Sequence, residues 1–379
     1  MMGRIAGFAF GMLSFWAPLA HAAQTNAPST ASSRVKIETV AKGLANPWGL
    51  QVLPDGRFLV TERPGRLKLI SADGKTAWDI SGVPKCETQR QGGLLDVALS
   101  PGFASDGLIF FSFSEPRGEA GNGTSVARAK LVLGGEGGHL ENVQIIFQQQ
   151  PAINSAAHFG SRLVFARDGT LFVTTGDRFS ARDQAQNPGN HLGKVIHITA
   201  DGAPAADNPK LASWDGKVWS IGHRNMQGAA LHPQTGQLWT VEHGAMGGDE
   251  LNHPEAGKNY GWPVITYGRD YNGKSIGVGT AKDGMEQPVY YWDPSIAVSG
   301  LMFYTGDMFP SWRGNALIGA LNGAQLQRLV FANGVVVAQE TLLGEFGERI
   351  RDVRQAPDGS VLVLTDSPQG RLLRLSPAP

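Results

Sequence analysis

The sequence predicts an all-β fold, a single six-bladed β-propeller of four-stranded antiparallel blades. Three observations carry the prediction. One strand, turn, strand unit returns six times along the 379 residues; its turns at positions 54, 101, 167, 233, 305 and 357 are spaced 47 to 72 residues apart; and 50 glycines with 22 prolines suit a turn-rich chain. Units of four short strands plus insertions match that period, whereas the rungs of an open β-solenoid would be shorter.

The units are "WGLQVLPDGRFLVTE" (48–62), "LLDVALSPGFASDGLIFFSFSE" (94–115), "SRLVFARDGTLFVTTGD" (161–177), "QGAALHPQTGQLWTVEHG" (227–244), the looser "SGLMFYTGDMFPSWRGNALIGAL" (299–321) and "IRDVRQAPDGSVLVLTD" (350–366). Each has an alternating apolar strand, a Pro/Asp/Gly turn and a second apolar strand. Most end in an acid: Glu62, Glu115, Asp177, Glu242 or Asp366. A third strand often follows, as in "RLKLI", "RAKLVL", "KVIHI", "LQRLVF" and "RLLRL". The stretch "VKIETVAKG" (35–43) is expected to complete the last blade and close the ring, leaving no long exposed sheet edge.

Residues 1–22 carry an early Arg4, an apolar run over about 5–19 and the small-x-small triplet Ala20-His21-Ala22. This is the pattern of a secretory signal peptide cut after Ala22, and the run is shorter than the roughly 20 residues a membrane span needs. The expectation is an exported protein, periplasmic in a Gram-negative cell, with no stable membrane insertion. Residues 23–34 read as a disordered leader and 35–379 as one domain. The 33 basic and 33 acidic residues leave no net charge, and no dense basic run, for nucleic acid. Cys86 is the lone cysteine, so no intramolecular disulfide can form.

In a propeller, loops at one end of the channel converge, so polar residues there that the repeat does not need are the functional candidates. Gln91 in "RQGGLL" sits beside two glycines that allow close ligand approach. His158 in "NSAAHFGSRL" has the side chain most easily made a base near neutral pH, although a lone histidine is more often structural or solvated. Arg224 and Asn225 stand together in "GHRNMQG". Arg349 and Arg351 alternate in "RIRDV" and so share a strand face. With Arg224 they could clamp a polycarboxylate or phosphate, or could instead pair with the acidic strand ends. The stretch "EHGAMGGDELNHPEAGKNYGWP" (242–263), with Asp249, Glu250, glycine carbonyls and a tyrosine, suits a hard cation such as Ca²⁺; the spacing of His223, His243 and His253 does not suit zinc.

The motifs "GGLLDVALSP", "GHRNMQG", "EHGAMGGDELN", "KNYGWP" and "RIRDVRQAPDGSVLVLTD", in that order, resemble the soluble PQQ-dependent aldose sugar dehydrogenases of the glucose/sorbosone dehydrogenase family, over about residues 38–377. The resemblance implies pyrroloquinoline quinone (PQQ) at the channel mouth and oxidation of aldoses at the C1 hydroxyl to lactones. His158 would be the general base as hydride passes to the quinone, with Arg224 stabilising charge on the reduced oxygen. Gln91, Arg224, Asn225, Arg349 and Arg351 would contact PQQ, and Trp292 is the candidate for an aromatic wall over it. A catalytic Ca²⁺ would use the carbonyls of Gly244 and Ala245, and a structural Ca²⁺ would involve Glu250 and Tyr260. Electrons would pass to a periplasmic cytochrome or quinone. Asn322 stands where many members carry a cofactor-contacting lysine, and Ala245 replaces a frequent proline. Two other readings share the architecture: a Ca²⁺-dependent lactonase or other hydrolase, which would have no use for the arginines, and a noncatalytic sugar-binding propeller, which would have none for His158.

Overall fold

The computed structural model of the protein describes residues 23–379, and the expected signal peptide lies outside them. The strands are β1 (Val35–Leu44); β2 (Pro47–Val52), β3 (Phe58–Glu62), β4 (Arg66–Ile70) and β5 (Ala77–Ser81); β6 (Leu94–Leu99), β7 (Leu108–Pro116), β8 (Asn122–Gly134) and β9 (Gly137–Gln148); β10 (Gly160–Phe165), β11 (Leu171–Thr175), β12 (Lys194–Ile198) and β13 (Val218–Ile221). The second half adds β14 (Met226–Leu231), β15 (Leu238–Glu242), β16 (Asp249–Asn252) and β17 (Tyr290–Trp292); β18 (Val298–Phe303), β19 (Ala316–Ala320), β20 (Gln325–Ala332) and β21 (Val335–Leu342); β22 (Ile350–Gln355), β23 (Val361–Thr365) and β24 (Gly370–Pro377).

These strands make four four-stranded antiparallel sheets and one eight-stranded sheet, a propeller-like all-β arrangement. The larger sheet departs from the expectation of separate blades. Its two antiparallel meanders, β2 to β5 and β6 to β9, join where β5 and β9 run parallel over Ile80↔Gly138 and Ser81↔His139. As expected, β1 pairs with β24, from Val35↔Pro377 to Leu44↔Gly370, so the first strand completes the last sheet.

The strands β2, β6, β10, β14, β18 and β22, each the first of a meander, neighbour one another in turn, and β22 returns to β2. Both faces of every sheet are therefore covered by a neighbour. This explains why β3, β11 and β23 are buried at every residue rather than alternately. The core is a set of wedges between sheets: Leu59, Leu67 and Leu69 meet Val97, Phe111 and Phe113 in one, and Leu50, Phe58 and Val60 meet Leu362, Leu364 and Leu372 in another.

Residues 24–33, read from sequence as a free leader, run instead along two outer strands. Tyr291 N–H donates to the Gln24 carbonyl at 2.8 Å, Gln339 N–H to Pro28 O at 2.9 Å and Thr30 N–H to Gln339 O at 2.9 Å, while Ala27 N–H donates to the Tyr290 hydroxyl at 3.1 Å. Their polar composition hid this, because most of the partners are backbone groups of outer sheet edges. Among the described residues no helix is long and apolar enough to cross a membrane.

Candidate functional site

In an antiparallel sheet the start of the first strand and the end of the second lie at the same end. The candidates follow that rule. Gln91, His158, Arg224, Asn225 and Arg349 precede β6, β10, β14 and β22, while Arg63, Asp177, His243 and Asp366 follow β3, β11, β15 and β23. All come to one face, around three adjoining cavities.

The first cavity is lined by Gln91, Asn225, Arg349 and Arg351, four of the expected residues, with Arg63, Trp48, Gln227 and His243 among the others. Asp366 Oδ2 accepts from Arg351 at 2.8 Å and from Arg349 at 3.2 Å, and its Oδ1 lies 3.9 Å from Arg63. An acidic strand end thus sits between the guanidiniums, as the pairing alternative foresaw. Burial pushes the Asp366 carboxyl up, yet Arg351, Arg63 and Arg349 outweigh it and hold it far below the usual carboxylate range. One carboxylate among three cations leaves the cavity positive. The buried Nε atoms of Arg63, Arg351 and nearby Arg224, and Oδ1 of Asp366, have no hydrogen-bond partner, a cost that an acceptor-rich ligand would relieve on the donor side.

His158, Asp177, Arg224, Ala245 and Trp262 line the second cavity, with Phe179 and Tyr271. His158 Nδ1 lies 2.6 Å from Asp177 Oδ1. Asp177 Oδ1 also accepts from Phe179 N–H at 2.8 Å, and Oδ2 from Trp262 Nε1–H at 2.7 Å. A carboxylate at Nδ1 fixes the proton there, leaving Nε2 as the ring's free acceptor. Burial, then the Arg224 charge, lowers the His158 pKa, which keeps the imidazole neutral. Desolvation opposes ionisation of Asp177, but the His158 bond prevails and holds its pKa down. Gly176 makes this approach possible, since a Cβ there would stand 2.0 Å from the His158 carbonyl oxygen. The backbone that carries the ring is further held by Gln91, whose Oε1 accepts the His158 main-chain N–H at 2.8 Å.

Arg224 separates the second cavity from a third. Its guanidinium donates to His243 O and to the Tyr271 hydroxyl, both at 3.2 Å, and stands 5.2 Å over the Trp262 ring. Its N–H donates to Glu242 Oε2 at 2.6 Å. Gly222, at φ 79, gives this segment its shape: a Cβ would meet Asn259 Oδ1 at 2.2 Å. Asn225 points elsewhere, accepting from Gly160 N–H at 3.1 Å and so tying its strand entry to that of His158.

The third cavity is small and lined by Gly244, Glu250, Tyr260, Glu242 and Arg224. Burial, and then the neighbouring Glu242, push the Glu250 carboxyl up to about 8. Asp249, also read as a cation ligand, is spent on structure instead: it accepts from Gly244 N–H at 2.8 Å and from the Ser295 hydroxyl at 2.9 Å. Asp249 to Asn252, expected as loop, form β16. The Tyr260 hydroxyl donates to His253 O, and its ring stacks on His223 at 4.8 Å. Among the described residues no group of three or more His, Cys, Asp or Glu side chains is arranged to hold a metal.

Trp292 is not brought to these cavities. It lies in β17, at the end of its sheet's strand order, packed edge-on to Tyr290 at 5.0 Å within an apolar cluster. The tryptophans at the cavities are Trp48 and Trp262. Trp262 closes the "KNYGWP" motif, and Asp177 was visible in the sequence only as a strand-end acid. Asn322 is exposed and donates to Ser295 O at 3.0 Å.

The family model described as Glucose / Sorbosone dehydrogenase matches residues 44–374. The chain is 40% identical over 352 residues to the aldose sugar dehydrogenase YliI of Escherichia coli, covering 92% of this chain and 94% of that one. The structure superposes on the apo form of the E. coli soluble aldose sugar dehydrogenase with a TM-score of 0.87, at 40% identity, covering 91% of this chain and 100% of the other. It superposes on the PQQ-bound form of an aldose sugar dehydrogenase from Streptomyces coelicolor with a TM-score of 0.76, at 28% identity and 93% and 100% coverage.

Proposed function

The chain belongs to the glucose/sorbosone dehydrogenase family, and we propose that it is a PQQ- and Ca²⁺-dependent enzyme that oxidises aldoses at the C1 hydroxyl to lactones. The observation that carries this reading is the His158–Asp177 pair in the wall of one cavity, beside a second cavity lined by Arg63, Arg349 and Arg351. We read the eight-stranded sheet as two blades joined at β5 and β9, which makes the ring six-bladed and residues 35–379 one domain.

The cavity chemistry fits the cofactor. PQQ carries three carboxylates, and the guanidinium groups, with unpartnered buried Nε atoms at Arg63, Arg224 and Arg351, offer the donors these require. Gln91, Asn225, Arg349 and Arg351 would hold it, with Arg224 at the boundary of the reacting centre. Glu250, kept protonated by burial and by Glu242, is a group a cation would ionise, and Tyr260 lines the same space. Gly244 and Ala245 would offer backbone carbonyls to a catalytic Ca²⁺. When bound, PQQ supplies the quinone that accepts hydride from C1, and Ca²⁺ the Lewis acidity that polarises its carbonyl.

The remaining work falls to side chains of this protein. His158 Nε2 takes the C1 hydroxyl proton, because Nδ1 already holds its own against Asp177. Asp177 stabilises the imidazolium that results. Arg224, buried above Trp262, places positive charge where negative charge develops. A hydrolase would have no use for this arginine-rich lining. On the same reading, residues 1–22 export the chain to the periplasm, where a cytochrome or quinone takes the electrons. The test is dye reduction by the purified protein with an aldose: added PQQ and Ca²⁺ should confer it, and failure across a panel of aldoses would exclude the proposal.

A further inference from the structure

Arg178 follows Asp177 and has no part in the chemistry above. Its backbone sits at φ 60 and that of Phe179 at φ 63, two successive left-handed residues that are not glycine. The turn sends the neighbouring side chains apart. Phe179 goes to the cavity wall, edge-on to the His158 ring at 5.3 Å. Arg178 goes inward and is fully buried. There its Nε donates to Ala157 O at 3.0 Å, its two terminal nitrogens donate to Asn122 O at 3.2 Å and Asn122 Oδ1 at 2.7 Å, and the latter also reaches Ser155 O. The guanidinium lies over the Phe159 ring at 3.8 Å. Among the described residues no carboxylate lies within ion-pair distance of it; its partners are one amide side chain and three backbone carbonyls.

Two of those carbonyls belong to the loop that carries His158, whose own backbone stands at φ 54. The ring of His158 is held by Asp177 and the chain on either side of it by Arg178, through Ala157 and Phe159. We infer that Arg178 is a positioning residue for the base: its fork, anchored to Asn122 at the start of β8, fixes the 155–159 loop so that His158 meets both Asp177 and the substrate. The inference rests on His158 being the general base. A planar guanidinium with several fixed donors suits this task, whereas an ammonium on a flexible stem cannot satisfy the same acceptors together. Burial of the cation without an ion pair lowers its pKa to about 9, which leaves it charged near neutral pH.

The test compares Arg178→Lys and Arg178→Met with the wild type, all loaded with PQQ and Ca²⁺. Both variants should lose kcat by about 10²-fold, the scale of a base misplaced by about an ångström, with cofactor binding by absorbance titration unchanged. The acid limb of kcat should stay in place for Arg178→Lys and move to higher pH for Arg178→Met, because the latter removes a positive charge near the imidazole. A second readout needs no cofactor. In apoprotein labelled at histidine Cε1, the His158 resonance, assigned by its loss in His158→Gln, should titrate at higher pH in Arg178→Met than in the wild type. If Arg178→Met does not fold, Arg178→Lys decides the kcat arm. An unchanged kcat in the folded variants, or a loss of kcat matched by equal loss of bound cofactor, would overturn the inference. Turnover persisting in His158→Gln would instead refute the base assignment, and the resonance shift would still report on Arg178.

Discussion

His158 Nδ1 stands 2.6 Å from Asp177 Oδ1, and the second carboxylate oxygen is held by Trp262 Nε1–H at 2.7 Å. Two buried partners thus fix one imidazole tautomer. His158→Gln should abolish turnover and leave PQQ binding intact. Asp177→Asn should keep the ring in place but present the wrong tautomer, lowering kcat by about 10²–10⁴-fold, the usual range for general-base catalysis. Steady-state kinetics beside a cofactor titration check both, and a parallel loss of binding would point to misfolding instead.

The pH dependence has a definite sign. Burial and Arg224 hold the His158 pKa below its ordinary 6.5, and the base works when neutral, so the acid limb of kcat should lie below 6.5. Stability should move in the same direction. His243 is held down to about 3, chiefly by burial, so between 6.5 and about 3 the unfolded chain takes protons that the folded one refuses. Its contribution should fall as the pH drops through that window, which urea midpoints at successive pH values will show.

Arg351 donates to Asp366 and to Gln227 Oε1, at 2.8 and 2.9 Å, and still has an unpartnered Nε in the cavity. Removing its charge-assisted bond to a carboxylate should cost about 1.5–3 kcal/mol of cofactor affinity, or about 10–100-fold in Kd, in Arg351→Met. The loss should be larger at low salt than at high salt for the more exposed Arg349. Titrations at two ionic strengths separate the two residues.

Glu250 carries a pKa raised from 4.5 to about 8. A raised carboxyl pKa gives stability that is fully present below 4.5 and is lost as the pH rises toward 8. The apoprotein Tm should therefore fall across that interval from this group, and Ca²⁺ should raise the Tm more at pH 8 than at pH 5. Glu250→Gln should remove both the slope and the pH dependence of the Ca²⁺ response; a variant that keeps that pH dependence would place the structural cation elsewhere.

The repeat was legible because each unit must supply its own hairpin, and every hairpin and third strand read from the sequence is present. The site was legible where a motif groups its residues, as in Arg224–Asn225 or Arg349–Arg351. What sequence could not show is which strand-end acids and tryptophans face the cavities. Asp177 and Glu115 end equivalent units, yet only Asp177 meets a histidine from the neighbouring strand entry. Trp292 and Trp262 differ in role because one lies on the last strand of its sheet and the other in a loop beside Arg224. Pairings of this kind depend on ring closure, which brings together residues such as Arg63 and Asp366.

The most direct test of the central claim is an absorbance titration of the purified apoprotein with PQQ and Ca²⁺, followed by glucose and other aldoses. Saturable binding that shifts the quinone band, then bleaching of that band on addition of sugar, is the predicted result. Absence of any binding would contradict the assignment of the arginine-lined cavity and with it the proposed reaction.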